Sequence, residues 1–195
     1  MSAGHVRAFL SRHGLLARRD LGQSFLVDEK VAARLVGFAG VEAQDLVIEI
    51  GTGLGILTRA LAARAKHVLS IEVDAGLVRA LRSERLLPPN VELVHGDALK
   101  VDLPAIARSA GGPTRLVANL PYAVASPLLR RLLDARSELV DWSVLLQREV
   151  AERILARPGT RAYGSLSVLH QLCVTASRGP DLAPRCFFPV PRVVS

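Results

Sequence analysis

The sequence has little cysteine, little lysine and no long apolar run. Its two cysteines, Cys173 and Cys186, have neither CxxC spacing nor a histidine pattern beside them. A zinc site and a disulfide framework are therefore not indicated, and both thiols are expected to be small buried hydrophobes. Apolar runs such as 166–172 are too short to cross a bilayer, and the first residues lack the uninterrupted apolar stretch of a secretory signal. These absences predict a cytoplasmic protein that does not use a membrane. No GK[ST] follows a glycine run, which leaves no P-loop. There is also no internal repeat, low-complexity tract or interdomain linker. With 195 residues and 50% hydrophobic composition, the chain is expected to form one domain with a core of its own rather than to stay disordered.

What is present is positive charge and an alternating pattern. Lys and Arg number 25 against 18 Asp and Glu, a formal net charge of +7, and only three of the cations are lysines. Such an excess raises the local concentration of a polyanion, and nucleic acid is the natural candidate. Arg7, Arg12, Arg18 and Arg19 crowd the first twenty residues with Asp20 opposing them. They read as a basic arm ahead of the folded part.

From Asp45 onward, short β-branched runs alternate with helical patterns, the signature of βαβ units around a parallel sheet. Strands are predicted at Asp45 to Ile50, His67 to Glu72, Val91 to His95, Arg115 to Asn119 and Trp142 to Gln147. Helices are predicted near Leu54 to Arg64, Ala75 to Ser83, Ser126 to Ala135, Arg148 to Ala156 and Ser165 to Leu172. Ahead of the first strand, Asp28 caps an amphipathic helix, Glu29 to Phe38, whose Val31, Leu35 and Phe38 recur at helical spacing. The tail from Pro180 to Pro191 is proline-rich and expected to be extended.

In an open parallel sheet, ligands bind beyond the carboxyl ends of the strands. Glu49-Ile50-Gly51-Thr52-Gly53-Leu54-Gly55 follows the first strand and opens a helix. The glycines, Gly51 and Gly53 first, can turn tightly and admit a ligand to the main chain. Glu72 lies 21 residues beyond Gly51 at the end of the second strand, where a carboxylate accepts both hydroxyls of a ribose. The dinucleotide pattern GxGxxG would require glycine at 56, but Ile56 stands there and Gly55 is the third glycine. This GxGxG form resembles class I methyltransferases and implies S-adenosylmethionine. After the third strand, Asp97 could accept from an adenine amino group, with the Ala98 amide facing a ring nitrogen.

At the end of the fourth predicted strand stands Asn119-Leu120-Pro121-Tyr122. An exocyclic adenine amine is a poor nucleophile because its lone pair is delocalised into the ring. The Asn119 side-chain oxygen and the Leu120 carbonyl, its geometry fixed by Pro121, could accept the two amino hydrogens and favour a pyramidal nitrogen. Tyr122 could stack on the base, a contact worth roughly 1–3 kcal/mol.

Three separated motifs resemble the ribosomal RNA adenine N6-dimethyltransferase family, which includes the kasugamycin-resistance methylase type. Leu21-Gly22-Gln23-Ser24-Phe25-Leu26 is similar to the family's GQxFL motif. Residues 119–122 are its NLPY, and Phe187 to Ser195 match FxPxPxVxS at every fixed position. The resemblance covers nearly the whole chain. It implies an α/β class I, Rossmann-like methyltransferase fold with a mostly parallel seven-stranded sheet flanked by helices. Residues 1–195 would be the catalytic domain, with the basic arm and first cofactor motif in 1–26.

By this resemblance, cofactor contacts fall on Ser24, Leu26, Gly51, Glu72, Asp97 and Asn119, while Tyr122 and Phe187 sandwich the target adenine. Position 24 is usually Asn or His in the family, and Ser24 has a shorter reach. Its backbone is the better candidate for that contact. Family members continue into a small helical RNA-gripping domain, so the chain, which stops at Ser195, is expected to lack that domain and part of its last edge strand.

The stretch Gln147 to Arg153, followed by Ala162 to Val168, resembles the small-subunit enzymes more than the macrolide-resistance methylases of large-subunit RNA. The implied activity is dimethylation of two adjacent adenosines in small-subunit (16S) RNA within a pre-ribosomal particle, by a monomer using no metal. Arg18, Arg19, Arg148 and Arg153 are candidate RNA contacts. The alternatives are a large-subunit RNA methylase or a non-catalytic RNA-binding assembly factor on the same fold. A protein-amide substrate would favour Asn-Pro-Pro-Tyr, and Leu120 counts against it.

Overall fold

The computed structural model describes residues 3–18, 22–120 and 124–191. The elements run α1 (Ala3–Arg12), β1 (Phe25–Leu26), α2 (Glu29–Phe38), β2 (Leu46–Ile50), α3 (Ile56–Ala62), β3 (His67–Glu72), α4 (Ala75–Ser83) and β4 (Val91–His95). Then follow α5 (Leu103–Ser109), β5 (Thr114–Asn119), α6 (Ala125–Asp134), β6 (Asp141–Leu145), α7 (Arg148–Ile154), α8 (Ser165–Cys173), a 3₁₀ turn at Pro184–Cys186 and β7 (Phe187–Phe188).

Five strands form a parallel sheet in the order β4-β3-β2-β5-β6. Side-chain parity sends Val47, Val68 and Val117 to one face, where α2, α3 and α4 cover them. Ile48, Ile50, Leu116 and Ala118 point to the other face, under α5 and α6. Leu128, Leu129 and Leu132 of α6 are at most 1% exposed, each burial contributing roughly 2 kcal/mol. At the amino ends of the strands, Arg115 donates to Asp45 at 2.7 Å and also pairs with Asp141. It thereby clamps β2, β5 and β6 together at the end opposite the site. The strand order reverses between β2 and β5, so the crevice for a ligand opens there.

Several expectations require correction. The main sheet has five strands among the described residues, not seven. β1 and β7 pair with each other, antiparallel, in a separate ribbon. The outer edge of β6 opens instead into a groove of about 680 Å³ bordered by residues 174–181. Val174 is extended there (φ −149°, ψ 159°), but no ladder forms between that stretch and β6. The basic arm is not free of the core either: α1 buries Val6, Phe9 and Leu10, and Arg12 and His13 both reach Glu84. Cys186 is buried as expected, but Cys173 is exposed because it faces outward in the last turn of α8. Gln147 does not extend β6; it caps α7.

Candidate active site

A cavity of about 240 Å³ lies beyond the carboxyl ends of β2 to β5. Its walls come from the glycine loop after β2, Glu72, residues 96–99, Asn119 and Leu120. Residues 22–26 and Phe187, from opposite ends of the chain, complete it. It therefore gathers every cofactor-side residue singled out in the sequence.

The loop after β2 is built by its glycines. Gly51 and Gly53 have φ of 84° and 55°, a left-handed conformation that costs a side-chain-bearing residue roughly 1–2 kcal/mol. A Cβ at Gly53 would also stand 3.1 Å from the Phe25 ring, and one at Gly51 would stand 3.4 Å from the Asn119 carbonyl oxygen. This close approach lets β1 and β5 meet above the loop.

Glu72 is 5% exposed. Its Oε2 accepts from the Gly53 amide at 2.8 Å and its Oε1 from the Asp74 amide at 3.0 Å. Burial raises this carboxyl above its ordinary range, against the pull of those two hydrogen bonds. Each oxygen keeps a lone pair for a ligand hydroxyl.

Beneath the loop, the Ser70 hydroxyl donates to Glu49 Oε2 at 2.5 Å and lies 2.6 Å from Thr52 Oγ1. Glu49 is fully buried. Burial lifts its carboxyl to about 8 while the Ser70 hydrogen bond opposes and the Glu72 charge adds. It is predominantly neutral at pH 7.

After β4, Asp97 Oδ1 accepts from the Leu99 amide at 2.9 Å, turning the chain so that Ala98 lines the cavity. Arg131 of α6 holds that turn, donating to the carbonyls of Leu99 and Val101.

Asn119 ends β5, half-buried, and its Nδ2 donates to the Ser24 carbonyl at 3.2 Å. With the amide nitrogen engaged, the side-chain oxygen is left for a donor in the cavity. Leu120 is buried, its amide donating to the Leu145 carbonyl at 3.3 Å. Pro121 and Tyr122 lie outside the described residues, as does Arg19. Ser24 lines the cavity and donates its hydroxyl to the Pro189 carbonyl at 3.0 Å. Leu26 and Phe187 pair across the ribbon, and both line the cavity. Phe188 instead carries the Arg7 guanidinium 5.3 Å from its ring centroid. Arg18, Arg148 and Arg153 are exposed and do not line this cavity. Arg148 pairs with Glu152 at 2.7 Å.

Sequence reasoning missed Gln23, Asp74 and Arg131. Gln23 donates to Asp74 at 3.0 Å and accepts from the Arg18 amide at 2.8 Å, tying the N-terminal segment over the cavity. Asp74 was readable as a helix cap following a strand. Arg131 gave only one faint signal, a cation beside an apolar run.

The fold and the glycine-loop site define the class: this is a class I methyltransferase fold. It is similar to the solved structure of a dimethyladenosine transferase from Plasmodium falciparum (TM-score 0.76, 28% identity, covering 87% of this chain and 60% of that one). It is also similar to the 23S rRNA methyltransferase ErmE (TM-score 0.73, 30% identity, covering 87% and 66%). The family model for ribosomal RNA adenine dimethylase matches residues 14–195, and the chain belongs to that family. A ribosomal RNA small subunit methyltransferase A of Magnetococcus marinus is 42% identical over 98% of this chain and 69% of its own length. One of Desulfotalea psychrophila is 39% identical over 100% and 66%. The chain thus spans about two thirds of the length of these relatives.

Proposed function

We propose that this chain transfers methyl groups from S-adenosylmethionine to N6 of two adjacent adenosines in small-subunit ribosomal RNA. It would give N6,N6-dimethyladenosine during cytoplasmic assembly of the subunit. One observation carries the reading: Asn119, its amide nitrogen held by Ser24, lines the same cavity as the glycine loop and Phe187. The cavity suits an adenosyl group, since a buried carboxylate, an open glycine cradle and a second carboxylate follow three successive strands. S-adenosylmethionine supplies an electrophilic methyl on a sulfonium.

The chain's own residues would do the rest. Glu72 would accept the ribose hydroxyls, and Asp97 with the Ala98 amide would read the adenine edge. Asn119 Oδ1 and the Leu120 carbonyl would accept the hydrogens of the target amine, aiming its lone pair at the methyl. Phe187 would stack on the target base, opposite Tyr122. Alignment and proximity would then provide the acceleration without a covalent intermediate. Arg18, Arg19, Arg148 and Arg153 would contact RNA phosphates, their positive charge adding salt-dependent affinity.

Similarity to ErmE nearly matches that to the dimethyladenosine transferase, so the fold alone does not choose the RNA. Full-length relatives named as small-subunit enzymes favour the small subunit. The test is transfer of labelled methyl to small and large subunits from unmethylated cells, followed by nucleoside analysis. Label is expected as N6,N6-dimethyladenosine in the small subunit; label confined to the large subunit would overturn the assignment.

A further inference from the structure

We infer that the Ser24 side chain is a positioning residue for the methyl acceptor rather than a cofactor contact. This rests on the proposed reaction. β1 and β7 pair with Phe25 opposite Phe188 and Leu26 opposite Phe187. The Val27 amide donates to the Cys186 carbonyl at 2.9 Å. Antiparallel ladders alternate between bonded and non-bonded pairs, so Ser24 and Pro189 fall on a position without main-chain bonds between them. Two consequences follow. The Ser24 carbonyl is free to face the other way, where it accepts from Asn119 Nδ2 at 3.2 Å. The pair itself is closed only by the hydroxyl, which donates to the Pro189 carbonyl at 3.0 Å.

Ser24 therefore joins two groups that act on the acceptor. Its carbonyl orients the Asn119 amide so that the oxygen faces the cavity. Its hydroxyl holds the tail two residues beyond Phe187, fixing the ring that lines the same cavity. Neither bond is directed at the cofactor walls formed by Glu72 and Asp97. Without the hydroxyl the ribbon would end one pair earlier, at Phe25–Phe188, and the strand segment that carries Phe187 would be held on its outer side by that pair alone.

The test compares the unaltered chain with Ser24→Ala and Ser24→Thr. Ser24 is half-buried and the substitutions are small, so folding should persist; thermal unfolding checks this. Ser24→Ala should bind S-adenosylhomocysteine within about twofold of the unaltered chain by calorimetry. Its kcat/KM for RNA should fall about fivefold, the equivalent of about 1 kcal/mol lost from one hydrogen bond, and Ser24→Thr should restore it. With 4-fluorophenylalanine incorporated, the Phe187 ¹⁹F resonance should shift or broaden in Ser24→Ala and return in Ser24→Thr.

A fivefold or greater loss of S-adenosylhomocysteine affinity with kcat/KM for RNA lost only in proportion would make Ser24 a cofactor contact and overturn the inference. So would an unchanged Phe187 resonance. If the unaltered chain methylates neither subunit, the proposed reaction fails instead, and the fluorine and calorimetric readouts still decide what Ser24 positions.

Discussion

Replacing Glu49 by glutamine isolates a buried proton. The carboxyl is completely enclosed, and its Oε1 has no hydrogen-bond partner among the described residues. Its ordinary value of 4.5 is lifted to about 8 in the folded protein. Because the folded state holds the proton more tightly than the unfolded chain, Glu49 contributes stability that is fully present below about pH 4.5. That contribution is lost as pH rises toward 8 and is constant above it. At about 1.4 kcal/mol per pH unit, the gap from 4.5 to about 8 corresponds to at most about 5 kcal/mol, of which about 4 falls between pH 5 and 8.

Glutamine keeps the shape and the oxygen that accepts from Ser70, but carries no titrating proton. Urea unfolding of both proteins at pH 5, 6, 7 and 8 measures the effect. Subtracting one profile from the other removes every other titrating group, including Glu72, whose raised carboxyl pulls in the same direction. Glu49→Gln should gain on the unaltered protein by up to about 4 kcal/mol across that range. Parallel profiles would refute the reasoning, because they would mean Glu49 titrates as it does in the unfolded chain.

Asn119→Ala should lower kcat for RNA methylation about 100- to 1000-fold, the scale of losing one aligned polar group at a reacting centre, with S-adenosylhomocysteine affinity changed less than tenfold. A loss below fivefold would remove Asn119 from the chemistry. Gly53→Ala forces a left-handed alanine against Phe25 and should weaken S-adenosylhomocysteine binding about tenfold by calorimetry; unaltered binding would show that the loop tolerates a Cβ. Arg131→Met frees the turn that carries Asp97 and Ala98. It should raise the KM for S-adenosylmethionine about fivefold while leaving kcat within twofold, and a drop in kcat alone would contradict that coupling.

The sheet was legible because its strands obey a period of two and each ends on a chemically distinctive residue. Ile48 and Ile50 fall on one face and Val47 on the other, and Gly51, Glu72, Asp97 and Asn119 then collect at one edge. Helix α1 was less legible, since His5, Arg7 and Arg12 surround its apolar Val6, Phe9 and Leu10 and give the segment the look of a solvated arm. Helix α5 carried a readable start, Asp102 as cap and Pro104 in the first turn, but offers only a short apolar stripe. The ribbon of β1 and β7 could not be read from periodicity at all. Two residues on each side establish no pattern, and their partners lie more than 160 positions away. The same holds for Ser24, whose partner lies 165 positions away. The expected seventh strand came from the family pattern rather than from residues here, and the structure gives the two extra short strands to the ribbon instead.

That ribbon also imposes an order on synthesis. The partners of Phe25 and Leu26, Phe188 and Phe187, are made more than 160 residues after them. Every strand of the central sheet is complete by Leu145, so a nascent chain can assemble the glycine loop and both carboxylate walls while Phe187 is still unmade. Closing so long a loop is entropically costly, and contacts of such separation form slowly. Phe187 is therefore the last of the cavity's lining residues named above to be made, long after the glycine loop, Glu72, Asp97 and Asn119.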